Sequence, residues 1–458
     1  MRDLASIVKA YDIRGVVPDE LDEGIARDVG TAFAAMVGGP AVVVGHDMRE
    51  SSGPLSAAFA EGVTGQGIDV VDMGLASTDM LYFASGSLDL PGAQFTASHN
   101  PARYNGIKLC YAGARPVGQD TGLAEIRERV EAGDDPARSV AGIAASGRPR
   151  GTVTRRDLVS DYAAYLKKLV DLSGIRHLRV AVDAGNGMGG HTVGAIFEGL
   201  PIELIPMYFE LDGNFPHHEA NPIEPENLRD LQAKVRETGA DIGLALDGDA
   251  DRCFVVDERG EPVSPSVITA LVAVRELAKD PGATIIHNLI TSRAVPEIVA
   301  EHGGRPVRTR VGHSFIKATM AETGAVFGGE HSGHFYFRDF WRADSGMLAA
   351  LHVLAALGEQ ERPLSELLGD YRRYAASGEI NSRVDDQAGA VDALERHFAE
   401  RQGAESDRLD GLTVALPDGA WFNVRASNTE PLLRLNVEAP DQPSMVRLRD
   451  EVLEIIRR

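Results

Sequence analysis

The sequence predicts an α/β fold: three similar α/β domains with mixed, largely parallel sheets, followed by a smaller α+β domain at the C-terminus. Three segments support this prediction, because each reads as a short apolar strand, a polar or glycine turn and then a helix; they are 41–47, 179–186 and 284–288. Alternation of this kind is typical of sheets whose neighbouring strands run parallel. A chain of 458 residues also exceeds one hydrophobic core, so several domains are expected.

Changes in composition indicate the domain boundaries. The stretch 132–152 is rich in glycine, alanine, aspartate and proline without periodicity, as in a linker or a surface excursion. Beyond Asp370, strand candidates at 378–384 and 412–416 alternate with helices, and 445–456 has the spacing of an amphipathic helix. We therefore predict four domains, at residues 1–150, 151–254, 255–370 and 371–458.

Charge and cysteine content exclude several classes of protein. Lys and Arg number 46 against 68 Asp and Glu, a net charge of −22, which should repel nucleic acid and anionic membranes. Cys110 and Cys253 lie in apolar stretches without CxxC spacing, as expected of buried free thiols. Residues 1–15 lack the apolar core of a secretory signal. The apolar segment 347–357 is too short to span a bilayer and is predicted to be a buried helix. We expect a cytoplasmic protein with no nucleic-acid or membrane partner.

An acidic motif follows the predicted strand 242–246. Asp247, Asp249 and Asp251 alternate along the chain, so an extended or looped backbone places all of them on one side. Uncompensated carboxylates repel each other, and a hard cation such as Mg²⁺ would resolve the conflict. An EF-hand is disfavoured, because Arg252 stands where its sharp turn needs glycine. A solvated acidic turn is the remaining alternative.

A serine at a predicted strand end offers a second chemical group. The segment 96–101 reads Thr-Ala-Ser-His-Asn-Pro, and the hydroxyl of Ser98 could carry a phosphoryl group. A plain turn serine is the alternative. His99 is a catalytic candidate but is predicted to be badly placed as a base for Ser98, since neighbouring side chains on a strand point to opposite faces. A hydroxyl and an acidic cage together are the minimum equipment for phosphoryl transfer.

A glycine-rich turn at 185–190 matches the G-x-G-x-x-G pattern of dinucleotide sites. Only residues 191–200 separate it from Pro201, which is short for a crossover helix. We therefore favour a structural turn, and a nucleotide-binding regulatory protein stays an alternative.

Two further loops carry polar groups. The segment 327–335 places Glu330 and Ser332 on a glycine-hinged turn, which suits the recognition of sugar hydroxyls or is an ordinary hairpin turn. A loop at 425–431 offers phosphate partners or is a plain Asx turn; its candidates are Arg425, Ser427, Asn428 and Thr429. By default, surface positions are expected for Arg14, Lys108 and His313.

Together these motifs resemble the α-D-phosphohexomutase superfamily, and within it the bacterial and archaeal phosphomannomutase/phosphoglucomutase group. The resemblance extends over essentially the whole chain and rests on segments 96–101, 247–252, 329–334 and 425–431. It implies three similar α/β domains and a smaller C-terminal domain around a central cleft.

The resemblance also implies a role for each motif residue. Ser98 resembles the serine that is phosphorylated, and Asp247, Asp249 and Asp251 resemble the Mg²⁺ ligands, with the seryl phosphate supplying a further oxygen. Arg14 and Lys108 resemble the basic residues beside the phosphoserine, and Lys108 is a candidate for proton transfer. Glu330 and Ser332 would be the pair that contacts the sugar hydroxyls, and Arg252 and His313 would lie near the substrate. The loop for the non-reacting phosphate would be formed by Arg425, Ser427, Asn428 and Thr429.

The implied reaction is a phosphoryl exchange by an isomerase. Phospho-Ser98 donates to a hexose phosphate, the resulting hexose 1,6-bisphosphate turns around, and the other phosphate returns to Ser98. One Mg²⁺ per site is implied, with the bisphosphate as activator, sugar phosphates as partners and a monomer or homodimer as the assembly. His331, where glucosamine enzymes typically carry Gln, favours mannose and glucose substrates. A phosphoglucosamine mutase and a serine-phosphate phosphatase stay alternatives.

Overall fold

The structure, a computed structural model, describes residues 4–133, 149–426 and 432–457. Most of the predicted linker at 132–152 lies outside these described residues. The chain forms two compact units: the first comprises Met1–Pro265 and Ser332–Leu367, and the second comprises Ser266–His331 and Leu368–Arg458.

The first sheet of the first unit has the order β1-β5-β4-β2-β3-β7, with β6 beside β5. Its strands are β1 (Ile13–Val16), β2 (Ala41–His46), β3 (Asp69–Leu75), β4 (Gly92–Phe95), β5 (Tyr104–Tyr111), β6 (Arg115–Pro116) and β7 (Val153–Arg155). The accompanying helices are α1 (Glu23–Val37), α2 (Ser52–Gly65), α3 (Thr78–Leu88) and α4 (Leu123–Glu131). Strands β4, β2, β3 and β7 run parallel, and β5 is antiparallel to its neighbours.

Three fully buried phenylalanines join the helices to this sheet. The ring of Phe59 on α2 packs 6.0 Å from Phe33 on α1 and 5.5 Å from Phe95 at the end of β4. Burial of one such side chain contributes roughly 1.5–3 kcal/mol. The residue at the end of β4 is therefore firmly anchored, and the loop that follows it starts from a fixed point.

The second sheet of the first unit has the order β12-β11-β10-β8-β9. Its strands are β8 (Leu178–Asp183), β9 (Ile202–Met207), β10 (Ile242–Leu246), β11 (Cys253–Asp257) and β12 (Pro262–Val263). The helices beside it are α5 (Val159–Leu169), α6 (Gly189–Phe197) and α7 (Arg229–Thr238). Strands β9, β8 and β10 are parallel, whereas β11 and β12 return antiparallel.

The first two sheets extend past two of the predicted boundaries. Strand β7 pairs with β3 beyond residue 150, and β11 pairs with β10 across residue 254. The prediction that residues 191–200 are too short for a crossover is wrong, since α6 links the parallel strands β8 and β9. This helix starts inside the glycine turn, which shortens the connection needed.

Residues 266–329 of the second unit form parallel strands with flanking helices. Strand β13 lies between β14 and β15 and is parallel to both. The strands are β13 (Thr284–Asn288), β14 (Arg305–Thr309) and β15 (Phe327–Gly329), and the helices are α8 (Pro265–Lys279), α9 (Ala294–Glu301) and α10 (His313–Thr323).

Residues 332–367 belong to the first unit. They form an antiparallel pair and two helices: β16 (Phe335–Phe337), β17 (Ala343–Asp344), α11 (Gly346–Gly358) and α12 (Leu364–Leu367). Helix α11 is buried along nearly all its length, which agrees with the predicted buried helix at 347–357. No helix within the described ranges is both long and apolar enough to cross a membrane.

The C-terminal part of the second unit is an antiparallel sheet of order β18-β22-β21-β20-β19. Its elements are β18 (Ala375–Arg383), α13 (Gln387–Ala399), β19 (Glu405–Asp407), β20 (Leu412–Ala415), β21 (Trp421–Ala426), β22 (Leu432–Ala439) and α14 (Gln442–Ile456). The apolar face of α14 packs on this sheet through Met445, Leu448, Val452 and Ile456. The predicted fold class, α/β domains with mixed sheets and an α+β C-terminal domain, is confirmed.

Candidate active site

The acidic motif forms the turn between β10 and the antiparallel strand β11. All three aspartates are buried, and oxygen atoms from Asp247, Asp249 and Asp251 lie within 4.8 Å of one another. The Oδ1 atoms of Asp249 and Asp251 are buried and accept no hydrogen bond from any described residue. Buried carboxylate oxygens without donors are rare in native proteins, and a hard cation satisfies them. This donor set fits a divalent metal ion with oxygen ligands.

The charges around the triad show why a cation suits it. Lys108 Nζ lies 2.6 Å from both Asp249 Oδ2 and Asp251 Oδ2. Burial opposes charge on Lys108, but the two carboxylates outweigh it and raise its pKa well above the ordinary value. Burial likewise opposes ionisation of Asp249, yet Lys108 lowers the pKa of that carboxyl below its ordinary range. Burial raises the pKa of Asp247 to about 8, against the pull of Arg252. Lys108 and Arg252 together supply two positive charges, one fewer than three ionised aspartates would need.

Ser98 meets the acidic turn directly. Its Oγ donates a hydrogen bond of 2.8 Å to Asp247 Oδ2 and lies 3.1 Å from His99 Nδ1. The prediction that the Ser98 and His99 side chains point to opposite faces is wrong, because both residues lie beyond the end of β4. Ser98 has φ 50°, and this left-handed turn abolishes the alternation that a strand would impose.

The backbone of Ser98 is held in that conformation by its neighbours. A left-handed non-glycine residue costs on the order of 1–3 kcal/mol and persists where the surroundings over-determine it. The Ser98 amide donates to Thr96 Oγ1 at 2.9 Å. A Cβ at Gly248 would stand 2.4 Å from the Ser98 carbonyl oxygen, so only glycine permits this approach of the acidic turn.

The basic candidates of the first unit lie around these two motifs. Arg252 Nε donates to Asp247 Oδ2 at 2.9 Å. Arg14, on β1, donates to Asn100 Oδ1 at 2.5 Å and therefore contacts the Ser98 loop rather than the Ser98 side chain. Burial, reinforced by Arg252 and Arg14, lowers the pKa of His99 well below its ordinary value. His99 is accordingly a neutral imidazole in this environment.

Sequence reasoning missed two residues that contact the aspartates. Thr78, at the start of α3, donates from Oγ1 to Asp249 Oδ2 at 2.6 Å. His334 Nε2 lies 3.6 Å from Asp251 Oδ1, and its Nδ1 lies 2.9 Å from Ser332 Oγ. His334 stood inside the motif at 327–335, so its imidazole was a signal that the sequence offered. Nothing comparable pointed to Thr78, whose amide also donates to the Asp249 carbonyl at 3.0 Å.

A buried carboxylate beside Thr78 organises the surrounding helices. Asp79 accepts hydrogen bonds from Ser77 Oγ at 2.5 Å, Tyr162 OH at 2.5 Å and Ser345 Oγ at 2.7 Å. Tyr162 belongs to α5, and Ser345 caps α11 through the Leu348 amide. Asp79 therefore links three helices directly behind the residue that contacts Asp249.

The glycine turn at 185–190 braces the acidic motif. The Met188 amide donates to the Gly248 carbonyl at 2.9 Å. A Cβ at Gly187 would stand 2.6 Å from that same carbonyl oxygen, and one at Gly190 would stand 2.2 Å from the Phe209 carbonyl oxygen. These glycines are used for close backbone packing within the first unit.

The second unit holds the other predicted site residues. Glu330 is buried and its Oε1 accepts from the Gly312 amide at 3.1 Å, directly before His313 at the start of α10. Arg425 Nη2 lies 3.3 Å from Glu379 Oε2. The remaining predicted phosphate-binding residues lie outside the described residues; they are Ser427, Asn428 and Thr429.

Family models match nearly the whole chain in order. The matches are phosphoglucomutase/phosphomannomutase α/β/α domain I over 5–137, domain II over 160–260, domain III over 264–374 and the C-terminal domain over 379–455. The chain belongs to the phosphoglucomutase/phosphomannomutase family.

Curated relatives extend this family assignment over the full length. The chain is 42% identical to phosphohexose mutases of Xanthomonas campestris and 41% identical to a phosphomannomutase of Salmonella montevideo, and each match covers 98% of both chains. It is 40% identical to a phosphomannomutase of Escherichia coli, with 97% of both chains covered. A solved family structure from Burkholderia thailandensis has a TM-score of 0.86 at 35% identity, covering 99% of this chain and 97% of that one. As a member of this family, the protein is a mutase, an enzyme of the isomerase class.

Proposed function

We propose that the protein interconverts mannose 1-phosphate and mannose 6-phosphate, and also glucose 1-phosphate and glucose 6-phosphate, through a phosphoserine and a hexose 1,6-bisphosphate. The single observation that carries the proposal is the 2.8 Å contact between Ser98 Oγ and the buried triad at Asp247. A hydroxyl fixed against a carboxylate cage is suited to accept and return a phosphoryl group. Relatives named phosphomannomutase support mannose as one of the sugars.

Different residues of the first unit are proposed to bind the metal ion, orient the Ser98 hydroxyl and stabilise negative charge. Asp247, Asp249 and Asp251 would hold Mg²⁺, which when bound neutralises charge on the transferring phosphoryl group. Asp247 Oδ2 accepts the hydroxyl hydrogen of Ser98 and so orients the Oγ lone pairs towards an incoming phosphorus. Arg252 adds a guanidinium at the same carboxylate, and preorganised charge of this kind stabilises the transition state.

The proton of Ser98 has nearby acceptors in this arrangement. His99 Nδ1 lies 3.1 Å from Ser98 Oγ, but burial lowers the pKa of His99, so this neutral ring is a weaker base than a free imidazole. Lys108 is held charged by two carboxylates, so in this arrangement it supplies positive charge. Its participation in proton transfer stays a prediction that requires release from those carboxylates.

Substrate recognition is proposed for the motif residues at 313, 330–332 and 425–429. Glu330 and Ser332 would contact sugar hydroxyls, and His313 would lie near the same substrate. The non-reacting phosphate would be held by Arg425, Ser427, Asn428 and Thr429. Arg425 supports this role because its guanidinium is the fork that phosphate oxygens match. Hexose 1,6-bisphosphate would activate the enzyme by phosphorylating Ser98.

A coupled assay tests the proposal. Mannose 1-phosphate, glucose 1-phosphate and glucosamine 1-phosphate are each supplied with Mg²⁺ and a trace of hexose 1,6-bisphosphate, and both 6-phosphate and inorganic phosphate are measured. We expect 6-phosphates from mannose and glucose and little inorganic phosphate. Release of inorganic phosphate as the main product would replace the mutase proposal with a phosphatase, and turnover of glucosamine 1-phosphate alone would reassign the substrate.

A further inference from the structure

Arg49 is a buried arginine that touches none of the groups proposed to react. It follows β2 in the sequence His46-Asp47-Met48-Arg49 and is only 3% exposed. Buried guanidinium groups are costly unless every donor is paired. The contacts of Arg49 therefore indicate which segment of the chain this residue stabilises.

Four of the five guanidinium hydrogens point at the main chain of the Ser98 loop. Nη2 donates to the carbonyl oxygens of Ser98 at 2.9 Å and Asn100 at 2.7 Å. Nη1 donates to those of Pro101 at 3.0 Å and Tyr104 at 3.1 Å. The segment from Ser98 to Tyr104, at the start of β5, is thus fixed at four points by one planar group. A lysine has a single nitrogen at its tip and cannot reproduce this fork.

Arg49 is itself held in place. Its Nε donates to Asp47 Oδ2 at 3.1 Å, and Ser52 Oγ donates to Asp47 Oδ1 at 2.5 Å. The ring of Phe215 covers the guanidinium at 5.0 Å. The Asp47 carboxylate compensates the buried charge, so the arginine is a rigid template rather than a mobile surface group.

We propose that Arg49 is a positioning residue for phosphoryl transfer. It fixes the carbonyl of Ser98 and thereby keeps that residue in its left-handed conformation, φ 50°, with Oγ at Asp247. Arg49 reaches the Ser98 carbonyl and makes no hydrogen bond to the Ser98 hydroxyl, so it acts through the backbone. The expected effect on turnover rests on the proposed function, whereas the effect on the loop does not.

Replacement of Arg49 by lysine is the main test. Arg49→Lys keeps the charge beside Asp47 but loses the fork, and a displacement of about 1 Å at a reacting atom can cost on the order of 100-fold in rate. We expect kcat per folded molecule to fall about 100-fold while KM changes less than about threefold, because no substrate contact is removed. Arg27→Lys, on α1 beside Glu61, is the matched control and should leave kcat unchanged. A kcat within about twofold of wild type in Arg49→Lys would overturn the proposal.

Chemical rescue separates positioning from general destabilisation. Arg49→Ala leaves a buried cavity shaped for a guanidinium ion, so guanidinium at concentrations far below those that unfold the protein should restore part of kcat. Methylammonium, which lacks the fork, should not. Equal stimulation by both ions would argue against a geometric role.

Hydrogen exchange supplies a measurement that needs no turnover. Amides in the loop 98–104 should exchange at least about tenfold faster in Arg49→Lys than in wild type, since the loop loses its fixed carbonyls. Amide exchange rates in this loop that are unchanged in Arg49→Lys would refute the proposal that Arg49 fixes the loop, even if wild type itself showed no mutase activity. Absence of activity in wild type would instead refute the proposed function.

Discussion

Gly248 lies so close to Ser98 that a Cβ at residue 248 would stand 2.4 Å from the Ser98 carbonyl oxygen. Two motifs separated by 149 residues therefore meet backbone to backbone. Because the gap is fixed by the main chains, it sets the distance between the serine hydroxyl and the carboxylates.

Gly248→Ala should lower kcat by on the order of 100-fold and destabilise the protein by about 1–3 kcal/mol, because either the acidic turn or the serine loop must move. Steady-state kinetics and thermal unfolding measure the two effects. Gly194→Ala is a matched control on α6, where an added Cβ meets nothing within 4 Å; it should be neutral or stabilise by about 0.5–1 kcal/mol. Full activity in Gly248→Ala would contradict the close approach.

Ser98→Ala should remove nearly all turnover while the protein stays folded, because a single turn hydroxyl contributes little to stability. Intact mass and peptide mapping should find phosphate on Ser98 in wild type after exposure to hexose 1,6-bisphosphate, and none in the variant. Ser87→Ala, at an exposed position of α3, serves as the control. Phosphate at another residue, with activity kept in Ser98→Ala, would exclude Ser98 as the carrier.

Removal of divalent metal should stop activity, and Mg²⁺ should restore it. Asp249→Asn removes one of three charges from the cage and should raise the Mg²⁺ concentration needed for half-maximal activity by at least about tenfold. The exposed Asp120→Asn is the control, with no change expected. Activity that is indifferent to EDTA after dialysis would count against the metal assignment.

Asp79 should give the protein a pH-dependent stability. Burial raises the pKa of its carboxyl from 3.8 to about 6, although hydrogen bonds from Ser77, Tyr162 and Ser345 favour the ionised form. The folded state then binds this proton more tightly than the unfolded state, so the stabilisation is full below pH 3.8 and is lost as pH rises through about 6.

The variant Asp79→Asn has no carboxyl at this position and therefore does not bind this proton. The free energy of unfolding of wild type minus that of Asp79→Asn should therefore fall by about 2 kcal/mol between roughly pH 4 and pH 7. Urea unfolding at a series of pH values measures the difference. A difference that rises with pH would show that the native environment favours the carboxylate instead.

Both hexoses should be substrates of similar quality. Mannose and glucose phosphates differ only at C2, and a site without a group dedicated to C2 discriminates by a few kcal/mol at most, roughly under a few hundred-fold in kcat/KM. Glu330→Ala should lower kcat/KM for both sugars alike. A preference on the order of 10⁴ for one sugar would show that C2 is read directly.

Pattern alone was sufficient for the fold class and for the position of the acidic triad. The strands at β2, β8 and β13 follow from short apolar runs before polar turns, and α11 and α14 follow from their apolar residues. The triad was predictable because carboxylates at alternate positions have few stable arrangements without a cation. The four-domain division at 1–150, 151–254, 255–370 and 371–458, and the monomer or homodimer, stay predictions.

What the sequence determined by itself is local: which segments form strands and helices, and which side chains can carry phosphoryl chemistry. Only the tertiary structure decided how those groups meet. It turned Ser98 into a left-handed conformation that brings His99 to its hydroxyl, where strand alternation predicted separation. It also brought Arg49, Thr78 and Asp79 to the site, since strand pairing and buried hydrogen bonds join residues whose distance along the chain carries no signal.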